Sequence, residues 1–272
     1  MNILITGGNG FLGQQIVKLL LNRHNLTILI RKKKQKKILS KKVKYIVERN
    51  IFDKDKNWFK KRLVKIDIVI HCAWYVNPLN YLDSVENIKC LNGTVNLALA
   101  SAEIGVKKFI GIGTSFEYDL SKKFLSTKTS LDPNTLYSAC KASAYFILKN
   151  IFNSNKKIIF KWCRVFYLYG NNEKPQRLYP IIINNLKKNK SINLGSGDQI
   201  RDYLEVSKAG KIIINYIFSK SNGAKNICSG KPISIKKFAL NIEKKMGKKG
   251  IIKFSKKAKG RKNDPKIIVG VK

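Results

Sequence analysis

The 272 residues imply an α/β fold in which a doubly wound parallel sheet carries helices on both faces. Three features support that reading. Short apolar runs alternate with helical stretches over the first two thirds of the chain. The first run ends in a glycine-rich turn that opens a helix. One later helix is apolar nearly all round, so it needs cover on two sides.

The strands fall at Asn2–Thr6, Asn25–Ile30, Val43–Val47, Ile66–His71, Lys107–Gly111 and Lys157–Val165, each a short run dominated by apolar residues. Between them, Phe11–Asn22, Asp83–Ile104 and Thr135–Phe152 read as helices. The last carries Leu136, Ala139, Ala142, Tyr145, Phe146, Ile147, Leu148 and Ile151 around its circumference. One side of it suits the sheet and the other a partner subunit. The run Arg31–Lys37 reads as a solvated loop. After Tyr169-Gly170 the pattern turns irregular, with Pro175, Pro180, a short helix, the turn Gly195-Ser196-Gly197-Asp198 and two further helices. Two regions are therefore expected, 1–170 and 171–272. The segment around 200–228, with a helix near Val206–Ser219, is expected to pack back on the sheet.

Composition narrows the class. A 44% hydrophobic, 10% aromatic chain can build a core. No apolar run reaches the ~18 residues of a membrane span, and Met1 leads straight into the first strand, so a cytoplasmic protein is expected. The five cysteines (Cys72, Cys90, Cys140, Cys163, Cys228) have no C-x-x-C or zinc spacing and read as free thiols. His24 and His71 have no third ligand nearby, so no metal is expected. The formal charge of +39 invites a nucleic-acid reading, yet only eight of the 55 basic residues are arginine. Arginine is the residue that reads phosphate and base edges in two-pronged fashion. Lysines spread among many Ile and Asn residues point to compositional drift, and no nucleic-acid partner is expected.

Gly7-Gly8-Asn9-Gly10-Phe11-Leu12-Gly13 follows the first strand and opens the first helix. A dinucleotide pyrophosphate needs backbone N–H groups at a helix N-terminus and no Cβ in its way, and glycines at 7, 10 and 13 provide this in a Rossmann-type unit. Residues 1–170 are accordingly the dinucleotide-binding region and 171–272 mainly the substrate-binding region. At the end of the second strand an NAD site usually presents an acid to the ribose 2′-OH. Here stands Arg31, which would pair with a 2′-phosphate, so NADP(H) is favoured. NAD(H) stays open, because Arg31 also fits the general drift toward basic residues.

Tyr137-Ser138-Ala139-Cys140-Lys141 places a phenol and an ammonium one helical turn apart. The cation favours the phenolate and brings a poor base toward neutral pH. Thr114, at the end of the fifth strand, is placed to bond the same substrate oxygen as Tyr137. On its own, Tyr-x-x-x-Lys is commonplace; behind the glycine turn and the strand-end Gly113-Thr114-Ser115 it is a much stronger sign of a catalytic pair.

These motifs, with Ile70-His71-Cys72-Ala73, Asn92-Gly93-Thr94, Arg164-Val165-Phe166-Tyr167-Leu168-Tyr169-Gly170, Arg201-Asp202-Tyr203 and Arg261 three before Asp264, resemble an extended short-chain dehydrogenase/reductase. The resemblance is to the NAD-dependent epimerase/dehydratase family and runs essentially end to end. It implies Tyr137 as acid/base, Lys141 on the nicotinamide ribose and Thr114 orienting the oxygen. It further implies Asn50 and Ile51 at adenine, Cys72, Ala73 and Trp74 beneath the cofactor, and Arg201 and Arg261 on a nucleotide-sugar diphosphate. Ser115 and Tyr167 fall on the sugar side. A homodimer and a role in cell-surface polysaccharide synthesis follow from the same resemblance.

The sequence departs from the family pattern in ways that bear on the reaction. The family's 4,6-dehydratases carry Asp-Glu directly after the threonine, where this chain has Ser115 and Phe116. Glu117 is one place further on and points the other way if the segment stays extended. Cys90 and Tyr167 replace usual asparagines. Simple reduction of a 4-keto nucleotide sugar is the favoured reading, ahead of a 4-epimerase and of a catalytically silent dinucleotide sensor.

Overall fold

A computed structural model describes residues 1–32, 43–154, 157–255 and 264–272. Seven strands form the main sheet: β1 (Asn2–Thr6), β2 (Asn25–Ile30), β3 (Val43–Val47), β4 (Ile68–His71), β5 (Lys108–Thr114), β7 (Ile159–Val165) and β11 (Gly223–Ile227). Their order is β11-β7-β5-β4-β1-β2-β3, and every neighbouring pair is parallel. The sequence-derived strands match these closely; the main difference is that β5 runs on to Thr114 instead of stopping at Gly111.

Alternation along each strand divides the core. Ile3 and Ile5 face α1 (Phe11–Leu20) and α6 (Val206–Phe218), meeting Ile16, Val17, Leu20, Ile213 and Ile217. Leu4, Val69 and Phe109 face the other layer, made of α2 (Lys56–Leu63), α3 (Glu86–Ile104) and α4 (Leu136–Asn153), and meet Leu97, Leu148 and Phe152. Removing a fully buried ring such as Phe109 would cost ~3–5 kcal/mol. α6 lies against α1 and leads into β11, so a segment from the second half of the chain completes the main sheet.

The remaining strands are β6 (Phe124–Leu125), β8 (Tyr167–Tyr169), β9 (Ile192–Leu194), β10 (Ile200–Glu205), β12 (Pro232–Ser234), β13 (Ile252–Phe254) and β14 (Ile267–Gly270). A second sheet has the order β12-β10-β14-β6, with β8 beside β10, and β13 pairs with β9. With α5 (Leu178–Lys187) and α7 (Ile235–Lys245) they enclose a small core of Ile182, Leu186, Phe238 and Ile242. Tyr203 stacks flat on Phe238, 3.9 Å between ring centroids. Among the described residues, no helix is long and apolar enough to cross a membrane. The predicted loop Arg31–Lys37 lies outside the described residues from residue 33 onward.

Candidate active site

The glycine turn forms a cradle that side chains would fill. Gly7 adopts φ +67°, and a Cβ there would stand 2.7 Å from the amide nitrogen of Ala73. At Gly13 a Cβ would collide with the carbonyl of Gly7. α1 begins at Phe11 after Gly10, with no side-chain cap and no acid in its first turn. The N–H groups of Phe11 and Leu12 are therefore left for an anion, which fits a dinucleotide pyrophosphate.

A buried chain of hydrogen bonds fixes the floor of this cradle. The N–H of Ala73 donates to Thr6 Oγ1 (3.2 Å), and Thr6 lies 2.7 Å from His71 Nδ1. His71 Nε2 lies 2.8 Å from Thr94 Oγ1, which donates to the carbonyl of Cys90 at 2.6 Å. Since the Thr94 proton is committed to Cys90, His71 must donate from Nε2 and accept at Nδ1 from Thr6. Burial holds its imidazole neutral, pushing the pKa down to about 3. Cys72 follows β4, and burial of its thiol pushes the pKa up to about 12. All five cysteines are free.

Thr114, Tyr137 and Lys141 come together at the end of β5. Thr135 caps α4 in a reciprocal pair with Ser138, which puts Tyr137 in the first turn and Lys141 one turn on. The N–H of Tyr137 donates to the carbonyl of Leu82 (2.8 Å), and its ring meets Tyr81 edge-on at 5.0 Å. A hydrogen bond with Thr114 favours the phenolate, but burial outweighs it and holds the phenol protonated, above its ordinary range. This differs from the expectation that Lys141 brings the phenol down. Lys141 donates to the carbonyl of Ile112 at 2.6 Å and lies under the indole of Trp74, 3.7 Å from its centroid. Burial pushes this lysine down to about 8. Trp74 is itself aimed by a 2.8 Å bond from its N–H to Asn87.

Glu117 does not point away. Ser115–Glu117 is a turn of 3-10 helix, so the segment is not extended and Glu117 folds back beneath Thr114. Ser115 is buried in the same turn. Asn50 and Ile51 stand past β3 at the start of another short turn, Asn50 exposed and Ile51 buried. Arg31 and Lys32 are exposed at the end of β2.

On the other side, Tyr167 meets Phe116 and Tyr203 edge-on at 6.1 and 5.9 Å. Arg201 is buried, its guanidinium bonded to Asp264 (2.5 Å) and to the carbonyl of Ile200 (2.9 Å). It therefore presents no open fork. Arg261 lies outside the described residues. Residue patterns did not mark three residues that the structure brings out. Tyr81 packs on Tyr137. Arg177 stands 5.0 Å from the Tyr81 ring centroid and draws the Tyr137 phenol down. Glu173 has one buried carboxylate oxygen with no hydrogen-bond partner among the described residues and is pushed up to about 7 by burial. None sits in a motif; Arg177 is marked only by its position just ahead of α5.

Comparison with known proteins identifies the family. The profile of the NAD dependent epimerase/dehydratase family matches residues 3–228. The chain is 25% identical over 243 residues to the dTDP-6-deoxy-L-talose 4-dehydrogenase (NAD(+)) of Aggregatibacter actinomycetemcomitans, covering 87% of each chain. It is 28% identical over 275 residues to a putative UDP-glucose 4-epimerase of Methanocaldococcus jannaschii, covering 95% of this chain and 87% of that one. Among solved structures, the UDP-N-acetylglucosamine 4-epimerase of Methanobrevibacter ruminantium M1, in complex with UDP-N-acetylmuramic acid, superimposes with a TM-score of 0.89 at 24% identity. That superposition covers 99% of this chain and 89% of that one. A family match extending over most of the chain shows that it belongs to the NAD dependent epimerase/dehydratase family, among the extended short-chain dehydrogenase/reductase oxidoreductases.

Proposed function

We propose that this chain reduces the 4-keto group of a nucleotide sugar, with NADPH as hydride donor and Tyr137 as proton donor. The observation that carries the proposal is that Thr114, Tyr137 and Lys141 gather at one end of the sheet with no acid at Ser115 or Phe116. Dehydration lacks its proton-transfer groups there. A relative named as a 4-dehydrogenase supports redox chemistry at that carbon.

The dinucleotide, when bound, supplies the hydride. Gly7, Gly10, Phe11, Leu12 and Gly13 would hold its pyrophosphate, Asn50 and Ile51 its adenine side, and Cys72, Ala73 and Trp74 the length between. Tyr137 donates its proton to the C4 oxygen as negative charge develops, and a phenol kept protonated by burial suits that role. The Thr114 hydroxyl orients the same oxygen. The phenolate left behind is stabilised by the Thr114 hydroxyl and the cation of Arg177. Tyr167 and Ser115 shape the sugar pocket. Arg201 binds the diphosphate by exchanging Asp264, with Arg261 as its companion.

Arg31 supports NADP(H), since a guanidinium pairs with a 2′-phosphate that an acid would repel. The relative named for NAD(+) favours NAD(H) as the second cofactor reading. A 4-epimerase is the second functional reading, favoured by the M. jannaschii relative. NAD(H) released on denaturing the purified protein would point to it. The test of the first reading is a panel of 4-keto sugars carried on UDP, GDP, CDP and dTDP, each offered with NADPH and NADH. Oxidation of NADPH by one of them is expected; no oxidation of either cofactor with any of them overturns the reductase.

A homodimer through α3 and α4 belongs to the same proposal. Ile88 and Leu99, three turns apart on α3, and Phe146 and Ile147 on α4 are all more than a third exposed. Light scattering should give twice the chain mass, and a monomer would contradict the pairing.

A further inference from the structure

β5 outruns its neighbour. β4 pairs with it only as far as His71 opposite Gly111, yet β5 continues to Thr114. In an extended strand, the carbonyl of one residue and the N–H of the residue two further on point to the same edge. The carbonyl of Ile112 and the N–H of Thr114 therefore face the gap past the end of β4. Two side chains fill it. Lys141 Nζ donates to the Ile112 carbonyl at 2.6 Å, and the Thr114 N–H donates to Glu117 Oε1 at 2.7 Å. A cation and an anion thus stand side by side where a strand would have continued.

Glu117 is fully buried and held from behind. Trp162 Nε1 donates to both carboxylate oxygens, at 3.1 and 3.0 Å, and Arg164 Nε donates to Oε2 at 2.7 Å. The Arg164 guanidinium lies between the rings of Tyr118 and Tyr145, at 4.7 and 4.6 Å from their centroids. The pair is a dipole with its negative end toward Thr114 and its positive end away from the site. Gly113 is required beside it, because a Cβ there would collide with Trp162 and Glu117.

We propose that Glu117 is a positioning residue of the active site: it fixes the backbone that carries Thr114 and keeps the neighbouring ammonium of Lys141 charged. The groups that face Lys141 fit this role. Burial disfavours its charge, and Glu117 is the largest influence acting the other way, ahead of the Cys90 and Cys72 thiols. His71 is neutral, and the Trp74 and Trp162 rings offer only their π faces. Around Tyr137 stand Tyr81, Thr114, Glu117 and Arg177, where the charge of Glu117 helps keep the phenol protonated. One carboxylate thus favours the starting protonation state of both groups that the reduction uses. The role rests on the proposed chemistry, whereas the linkage between Glu117 and Lys141 does not.

The test needs no substrate. In protein labelled with carbon-13 at lysine Cε, the Lys141 resonance is identified by its loss in Lys141→Arg and titrated by NMR. The wild type should turn over near pH 8, and Glu117→Gln should lower that midpoint by a unit or more, a tenfold or greater change in the dissociation constant. An unchanged midpoint in a variant whose near-ultraviolet circular dichroism is native overturns the proposal. Should Glu117→Gln fail to fold, the wild-type Thr114 amide proton decides. Its shift should follow the Lys141 midpoint, because the amide donates to the carboxylate whose charge the lysine feels, and a flat response overturns the proposal. With a turned-over 4-keto nucleotide sugar, Glu117→Gln should lower kcat at least tenfold with KM within about twofold, and bring the alkaline limb to lower pH. A raised KM with unchanged kcat counts against positioning. Absence of turnover in the wild type would undo the reductase reading and leave the titration result standing.

Discussion

The ammonium of Lys141 is pressed against the face of Trp74, 3.7 Å from the indole centroid, while it donates to the Ile112 carbonyl. The contact is a compromise: the indole offers π density to a cation that burial would otherwise neutralise. The folded pKa of about 8 lies below the ordinary lysine value. Between those values the unfolded chain binds a proton that the folded chain does not, so this group's penalty is full below pH 8 and is relieved as pH rises. Lys141→Met should therefore abolish turnover yet raise Tm at neutral pH, by a few degrees for ~1–2 kcal/mol. Thermal melts at pH 7 and pH 10 check this, and the gain should shrink at the higher pH. A lowered Tm at both would contradict it.

Tyr137→Phe keeps the ring that meets Tyr81 edge-on and removes only the hydroxyl. The proposed proton donor is then lost with the packing intact, and kcat should fall ~10²–10⁴-fold with Tm nearly unchanged. Thr114→Val should cost less, since Tyr137 still holds the oxygen. Steady-state rates on the active 4-keto nucleotide sugar decide between this mechanism and one that does not need the phenol.

The hydrogen-bonded chain through His71 makes a prediction about acid. Its folded pKa, about 3, is depressed below the ordinary imidazole value of 6.5. As the pH falls from about 6.5 toward 3, the unfolded chain takes up a proton that the folded one refuses, and stability is lost. The slope from one such group is at most ~1.4 kcal/mol per pH unit. Denaturant titrations from pH 7 to pH 4 should show a steeper loss for the wild type than for His71→Leu, even though the variant is less stable at pH 7. The Thr6 and Thr94 hydroxyls that lose their partner account for ~1–3 kcal/mol of that deficit. Parallel pH curves would remove His71 from the acid response.

The strands and the glycine turn were legible because each rests on a local rule. Asn2–Thr6 is an apolar run, and glycines 7, 10 and 13 stand where any Cβ meets backbone. α2 was missed. It has only Phe59 and Leu63 as buried anchors among four basic residues, and its start is set by Asp55 accepting from the N–H of Trp58. Tyr137 and Lys141 could be paired from their spacing, but their electrostatics could not. Burial governs both the phenol and the lysine, and the lysine is then held up by Glu117, which comes from a turn that the pattern read as extended. Arg201 was legible as a cation near the site, whereas its engagement with Asp264 depends on a contact 63 residues away in sequence.

Arg31 sets the last expectation. It stands exposed where β2 ends, with Lys32 beside it, and no carboxylate occupies either position. A charge-assisted bond to phosphate is worth ~1.5–3 kcal/mol, about 10- to 150-fold in binding, and salt weakens it at an exposed site. Arg31→Ser should reduce kcat/KM for NADPH by ~10-fold or more and leave the value for NADH within about twofold. The wild-type preference for NADPH should also narrow as ionic strength rises. If the wild type uses NADH as well as NADPH, or if Arg31→Ser lowers both equally, the guanidinium does not discriminate the 2′-phosphate. Its charge then belongs with the lysines that surround it.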